Sequence, residues 1–204
     1  MRTIHQEKIW DSLYEKDENK WKLESKLPKV LNGKKVLEIG AGNGKTLRSI
    51  LSQRPSEVYA IDISSKATEI LSRKFQKSYV LKANILNLPF QKESFDVVVC
   101  FFTLNNLLKS ERKKAISEIH RVLKCKGMLI FSDFAIGDYR AVGKKIEVNT
   151  IILPNKLILH SFSIIEMKSI FKSFKVEKLK MISSNPIRSQ PKLKRKRIFM
   201  LAHR

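Results

Sequence analysis

Acidic side chains are scarce in this 204-residue chain: 19 Asp and Glu stand against 41 Lys and Arg, a formal charge of +22 at pH 7. That imbalance excludes a charge-balanced surface and favours polyanionic partners through counterion release. Cysteine is nearly absent, with Cys100 in an expected central strand and Cys125 in a Lys-rich turn. Two such thiols exclude a disulfide framework and read as incidental thiols of a reducing compartment, so a cytoplasmic location is expected. Long hydrophobic runs are missing as well. The longest, Val97 to Phe102, has the length of a buried strand, and Met1-Arg2-Thr3-Ile4-His5-Gln6-Glu7 lacks the apolar core of a secretory signal. No membrane partner is expected. With 43% hydrophobic residues and no internal repeat, the chain reads as one domain burying roughly 70% of its unfolded surface.

The basic excess is lopsided. Residues 135–204 hold 16 Lys and Arg against 4 Asp and Glu, whereas residues 1–30 hold seven against six. It crests in Arg188, Lys192, Lys194, Arg195, Lys196 and Arg197. RNA would be drawn to such a surface. A composition that is merely Lys-rich, with every cation solvated, would carry matching acids for solubility, and these are absent.

Glycine is sparse too, seven in all, yet three fall within five residues in Val36-Leu37-Glu38-Ile39-Gly40-Ala41-Gly42-Asn43-Gly44. An apolar strand, a tight turn and a helix start bring bare backbone against a nucleotide-like ligand. A dinucleotide fingerprint would need its third glycine where Lys45 stands, and a phosphate loop ending in Gly44-Lys45-Thr46 would need a glycine where Ile39 stands. Neither fits. Around this loop, strands are expected at Lys35 to Ile39, Val58 to Ile63, Ser78 to Leu81, Phe95 to Phe102 and Met128 to Phe134. They alternate with helices carrying Leu47, Ile50 and Leu51, then Ala67, Ile70, Leu71 and Phe75, then Ile116, Ile119 and Leu123. Near-continuous apolar strands alternating with helices specify a parallel sheet covered on both faces. Before it, Ile9, Trp10, Leu13, Tyr14 and Trp21 mark an amphipathic helix and tail; beyond it, Lys145 to Leu153 and Leu157 to Phe162 read as a hairpin turning at Pro154-Asn155-Lys156. A helix with Ile164, Met167, Phe171 and Phe174 follows, then strands Val176 to Ser183 and Arg197 to Ala202.

Glu38-x-Gly40-x-Gly42-x-Gly44 resembles the first motif of class I S-adenosylmethionine (SAM)-dependent methyltransferases of the type 11 kind. The likeness continues through Asp62, Leu88-Pro89-Phe90 and Ser94-Phe95-Asp96, then a helix ending in His120-Arg121-Val122-Leu123-Lys124 and the turn Lys126-Gly127 before Met128-Leu129-Ile130-Phe131. It covers about residues 34 to 134. The resemblance implies a Rossmann-like seven-stranded, mostly parallel α/β sheet with an antiparallel last strand and helices on both faces. Residues 1–32 would be a helical lid and 135–162 an inserted substrate-recognition hairpin.

It also implies a site. Glu38 would orient the ammonium of SAM above Gly40, Ala41, Gly42 and Gly44; Asp62, followed by Ile63, would accept the ribose hydroxyls; Asn84 and Ile85 would meet the adenine, with Asn84 lacking the charge of the family's usual Asp; Cys100 and Phe101 would flank the cofactor. The chemistry agrees, since bare backbone permits close approach and a carboxylate best meets an ammonium. Phe102 reads at least as readily as plain core. Methyl transfer from a sulfonium rests largely on positioning, and a base is needed only if the nucleophile must lose a proton. Where many relatives carry His-His, this chain has Asn105-Asn106, so a histidine base is absent there. His160 and Asp133 remain as catalytic candidates, with structural roles the plainer reading, and His120 reads as packing. Tyr139, Arg188, Lys194, Arg195, Lys196 and Arg197 are the candidate substrate contacts, and Asn185-Pro186 is read as a turn. The expected activity is transfer of a methyl group from SAM, leaving S-adenosylhomocysteine, to an acceptor such as tRNA or rRNA, without a metal. A small-molecule acceptor, a non-catalytic SAM- or RNA-binding module and a protein acceptor are the alternatives.

Overall fold

The computed structural model describes residues 2–19, 25–185 and 193–204, the first four by backbone alone. Chain order is α1 (Arg2–Lys16), β1 (Lys35–Ile39), α2 (Lys45–Leu51), β2 (Glu57–Asp62), α3 (Ser65–Lys74), β3 (Tyr79–Lys82), β4 (Phe95–Phe101), α4 (Lys109–Val122), β5 (Leu123–Phe134), β6 (Lys144–Glu147), β7 (Thr150–Ile152), β8 (Ile158–His160), α5 (Ile164–Ile170), β9 (Lys175–Ser184) and β10 (Arg195–His203). Seven strands form the main sheet in the order β3-β2-β1-β4-β5-β10-β9. The pairs among β1 to β5 are parallel, and β10 runs antiparallel to both β5 and β9.

β4 shows why the sheet must be covered twice. Val97 and Val99 enter the apolar cluster with Leu47 and Ile50 of α2, while Val98 and Cys100 enter the one with Ile116 and Ile119 of α4 and Phe171 beyond α5. Successive strand side chains point to opposite faces, so an unbroken apolar run is stable only between two layers. The edges are treated differently. β9 is exposed along most of its length and carries Lys175, Glu177, Lys178 and Lys180, which keeps its free side from pairing with another chain.

Serine caps set two helix starts. Ser64 Oγ accepts from the Ala67 amide at 3.0 Å, and Ser163 Oγ from the Glu166 amide at 3.1 Å. α1 packs through Trp10 and Tyr14 on Ala67 and Ile70 of α3, and Asp11 Oδ1 accepts from Ser64 Oγ at 2.6 Å and the Lys66 amide at 3.1 Å. It begins earlier than its apolar residues suggest; Trp21 lies outside the described residues.

Two expectations are corrected. The segment from Lys144 to His160 is a three-stranded antiparallel sheet, β6-β7-β8, rather than a single hairpin, because the chain also reverses at Asn149 with φ 55. Asparagine tolerates that left-handed conformation, so a turn forms without glycine or proline. Likewise Lys126-Gly127 does not separate helix from strand. β5 starts at Leu123 and runs through both residues, with a register shift against β4 and Lys126 at φ 60.

Candidate active site

β1 pairs with β2 on one side and β4 on the other, so the crossovers leave it in opposite directions and a crevice opens at the strands' carboxyl ends. There a cavity of about 120 Å³ is lined by Ile39 and Gly40 after β1, Asp62 and Ile63 after β2, Asn84 and Ile85 after β3, and Phe102, Thr103 and Asn106 after β4. Gln6, Trp10 and Tyr14 of α1 close it.

The glycine loop is bound to β2: the Gly40 and Ala41 amides donate to Ile61 O at 2.8 and 3.0 Å, and the Gly42 amide donates to Asp62 Oδ2 at 2.8 Å. Each glycine also admits a neighbour. A Cβ would lie 2.2 Å from Thr103 Oγ1 at Gly40, 2.5 Å from the Tyr14 hydroxyl at Gly42, and 2.1 Å from the Phe75 ring at Gly44. Gly40 alone of the three lines the cavity, whereas Gly44, at φ 86, lets α2 start against the ring of Phe75.

Two carboxylates are buried here with no cation beside them among the described residues. Glu38 is 3% exposed and its Oε2 has no hydrogen-bond partner. Burial, followed by the charge of Asp62, pushes its pKa well above the ordinary glutamate value. Asp62, 8% exposed, is also raised by burial, although the amides of Ser64, Gly42 and Ile63 oppose the shift. Its Oδ1 accepts from the Ser64 amide at 2.9 Å. Each carboxylate oxygen has two lone pairs, so both retain capacity for a second donor. Burial, then Asp62 and Glu38, keeps the Tyr14 phenol neutral by raising its pKa well above 10.0.

The other expected site residues divide sharply. Asn84 Oδ1 accepts from the Leu86 amide at 2.9 Å, and Asn84 and Ile85 both line the cavity. Cys100 and Phe101 are buried in the two faces of the sheet core and do not line it; Phe102 and Thr103, just beyond, do. A strand's alternation turns on one residue, and the apolar run Val97 to Phe102 carries no mark of where it reaches the cavity. Thr103 Oγ1 lies 3.1 Å from the carbonyl oxygens of both Ile39 and Phe101, which ties the ends of β1 and β4 together.

Asp133 is fully buried beneath the turn after β4. Its Oδ2 accepts from the Asn105 amide at 3.0 Å and its Oδ1 from the Phe134 amide at 2.8 Å. Burial raises its pKa to about 8 against four backbone donors. This carboxyl braces the turn carrying Thr103 and Asn106. His160 does not line the cavity: Nδ1 is 2.8 Å from Thr150 Oγ1 of β7 and Nε2 is 2.9 Å from Glu166 Oε1 of α5, so both ring nitrogens are engaged. His120 packs edge-on against Phe174, as a packing residue would. Of the candidate substrate contacts, Arg188 lies outside the described residues. Tyr139 donates its amide to Lys194 O at 3.1 Å, Lys196 lies against Gly137, and Arg195 and Arg197 share the strand β10. Lys45 and Arg140, which their sequence contexts did not single out, stand close to them.

Residues 37–131 match the family described as "Methyltransferase domain". The chain is 34% identical over 101 residues to demethylmenaquinone methyltransferase of Thermotoga maritima, an alignment covering 49% of this chain and 43% of that protein. It is 28% identical over 153 residues to the tRNA N(3)-methylcytidine methyltransferase trm140 of Schizosaccharomyces pombe, covering 64% and 50% respectively. The chain thus spans about half the length of the curated relatives it matches. A SAM-dependent methyltransferase of Methanosarcina mazei superposes with a TM-score of 0.75 at 22% identity, over 86% of this chain and 94% of that one, which speaks for the fold.

Proposed function

We propose that this chain, whose residues 37–131 match a methyltransferase domain, is a class I SAM-dependent methyltransferase and that it transfers a methyl group from SAM to RNA, with tRNA or rRNA as the acceptor. The observation that carries the cofactor half is the orphaned, deeply buried Glu38 Oε2 beside a bare-backbone loop. A carboxylate with a raised pKa and an unused acceptor atom fits an arriving ammonium, which would restore its charge and satisfy it at once. The pocket residues fit the rest: Asp62 has lone pairs for ribose hydroxyls, and Asn84 with Ile63 and Ile85 offers one polar group among apolar walls.

SAM would supply an activated methyl carbon. This chain's residues would contribute placement: Asp62 in the cavity lining and the buried Glu38 beside it would hold the donor, Trp10 and Tyr14 of α1 would keep water out, and Phe102 with Thr103 forms the wall at the end of β4. Asn105-Asn106 and the braced Asp133 leave no histidine base on the turn after β4, in keeping with a nucleophile that needs little help in losing a proton.

The RNA half of the reading is supported by the lopsided basic charge, by Tyr139, Lys194, Arg195, Lys196 and Arg197 along the rim, and by the likeness to a tRNA methyltransferase. Arg188 belongs to the same reading. A small-molecule acceptor is the second reading, favoured by the likeness to a demethylmenaquinone methyltransferase. The deciding experiment incubates the protein with radiolabelled SAM and separated cellular RNA, protein and small molecules. Label in RNA is the expected result; label confined to small molecules replaces the acceptor, and absence of saturable SAM binding overturns the activity itself.

A further inference from the structure

The cations missing from the cavity's walls gather at its rim. Lys45 follows the glycine loop, half-buried, with its ammonium 5.8 Å from the ring centroid of Phe102, a residue that lines the cavity. Phe102 meets Phe134, at the end of β5, edge-on with centroids 5.4 Å apart. Over Phe134 lies the Arg140 guanidinium, 4.3 Å from the centroid. Arg197 stands opposite Phe134 in the β10–β5 register and donates through Nη1 to Ser132 Oγ at 3.3 Å. Arg195 is two residues earlier on the same strand and so on the same face, while Lys196 turns the other way.

Four cations thus surround a pair of phenyl rings, and one carboxylate serves them. Asp138 takes Arg140 at 2.8 Å and also accepts from the Lys196 amide at 2.7 Å. Among the described residues, Lys45, Arg195 and Arg197 make no ion pair. Their proximity is felt: burial first, then the charges of Arg195, Arg197 and Arg140, holds the Lys45 ammonium below the ordinary lysine value, and burial lowers Arg197 too. Partly buried like charges without a counterion are unfavourable until an anion joins them. The lysines of β9 differ, pointing outward along an exposed edge where water screens them.

We propose that Lys45, Arg140, Arg195 and Arg197 form a subsite for a phosphate group of the acceptor, beside Phe102 and Phe134 at the mouth of the methyl-donor cavity. Guanidinium forks and an ammonium point charge match phosphate oxygens, and the two rings offer faces for an adjoining base. The subsite rests on the acceptor reading above and deepens it, because a phosphate fixed here would aim the neighbouring nucleotide past Phe102. One source is an RNA phosphodiester, the other a free nucleotide.

The test compares the wild-type protein with Lys45→Gln/Arg197→Gln, with Lys45→Arg as the conservative variant, and with Lys178→Gln/Lys180→Gln on the β9 edge as the control. A fluorescein-labelled single-stranded oligoribonucleotide is titrated across a range of salt, with a nucleoside 5′-monophosphate and the unphosphorylated nucleoside as competitors, and SAM affinity is measured in parallel. The double variant is expected to lose at least tenfold in oligonucleotide affinity and to flatten the log–log salt slope by about 0.7 per phosphate released. SAM affinity should hold, and Lys45→Arg should keep most of the wild-type oligonucleotide affinity. Competition by the monophosphate but not the nucleoside supports the subsite and marks free nucleotides as sharing it; displacement by RNA alone supports the subsite and assigns it to the backbone. Equal affinity and slope in wild type and double variant, or an equal loss in the β9 control, overturns the subsite. If the wild type labels RNA while the double variant behaves like it, the subsite fails and the acceptor reading stands. If the oligonucleotide is lost from the double variant but no RNA takes label, the acceptor reading fails and the subsite stands.

Discussion

Two neighbouring regions of this molecule are unbalanced in opposite directions. At the cavity, Asp62 in its lining and Glu38 beside it are buried carboxylates that burial pushes toward neutrality and that no described cation compensates. At the rim, Lys45, Arg195 and Arg197 are cations that no described carboxylate compensates. Phe102 stands between them, lining the cavity and carrying Lys45 over its ring. A fold optimised only for its own stability would place these charges together. Keeping them apart is what the proposed pair of ligands would require, a cationic donor within and an anionic acceptor without.

The most severe way to break the comparison is to disturb the helix that closes the inner region. Gly42→Val places a side chain at φ 56 and 2.5 Å from the hydroxyl of Tyr14, which lines the cavity, and SAM binding should vanish in calorimetry while the protein stays folded. Gly44→Val should do the reverse, since its side chain meets Phe75 inside the core: a loss of stability on the order of 3 kcal/mol is expected from overpacking and a strained backbone, read in a denaturant titration. If the two variants show the same phenotype, the division between a loop glycine and a packing glycine is wrong.

Asp62→Ala comes next. It should weaken SAM binding by about 1–3 kcal/mol through lost charge-assisted hydrogen bonds, and it also leaves the Gly42 and Ser64 amides without their acceptor. Unchanged affinity would remove the ribose role.

Glu38 adds a pH signature. Its folded-state pKa is raised, so the native protein keeps a proton that the unfolded chain releases. Without ligand, its contribution to stability therefore declines as pH rises from the ordinary glutamate range through the raised value. Asp133, raised from 3.8 to about 8, adds a decline over that interval. Glu38→Gln should remove its share of the fall in melting temperature and weaken SAM binding; Asp133→Asn should flatten the curve between those two pH values and spare SAM. A pH profile identical to wild type in both variants would contradict the assigned burial. The smallest effect on the donor site belongs to the rim: neutralising Lys194, Arg195, Lys196 and Arg197 together should leave SAM affinity intact while weakening RNA binding and flattening its salt dependence. An unaltered slope would take β10 out of the acceptor surface.

The inner region was the more legible of the two in sequence. Glu38, Asp62 and Asn84 lie at or just beyond the carboxyl ends of strands whose apolar runs announce them, and an ordered series of motifs fixes their relation. The strand-end step from Phe101 to Phe102 was not legible, because every residue from Val97 to Phe102 is apolar and the register against β1 and β5 decides which one reaches the cavity. The rim was legible only as charge. Lys45, Arg140 and Arg197 are distant in the chain and meet because antiparallel β10 returns beside β5 and sets Arg197 opposite Phe134. No local pattern encodes that meeting. The Asn149 turn escaped for a related reason: it uses asparagine's own tolerance of a left-handed backbone instead of glycine.

α1 bears on how the cavity is emptied and refilled. Among the described residues, its attachment to the body includes a small apolar cluster around Tyr14 and Trp10, the Asp11 contacts, a hydrogen bond from Gln6 Nε2 to Lys156 O at 3.4 Å, and an ion pair between Glu7 and Lys82. Exposed pairs of that kind contribute about 0–1 kcal/mol each and weaken as salt is added. The sheet beneath is sealed by two layers of core. Under the proposed activity, a salt-dependent contact of this helix would let ionic strength act on access to the cavity as well as on the acceptor.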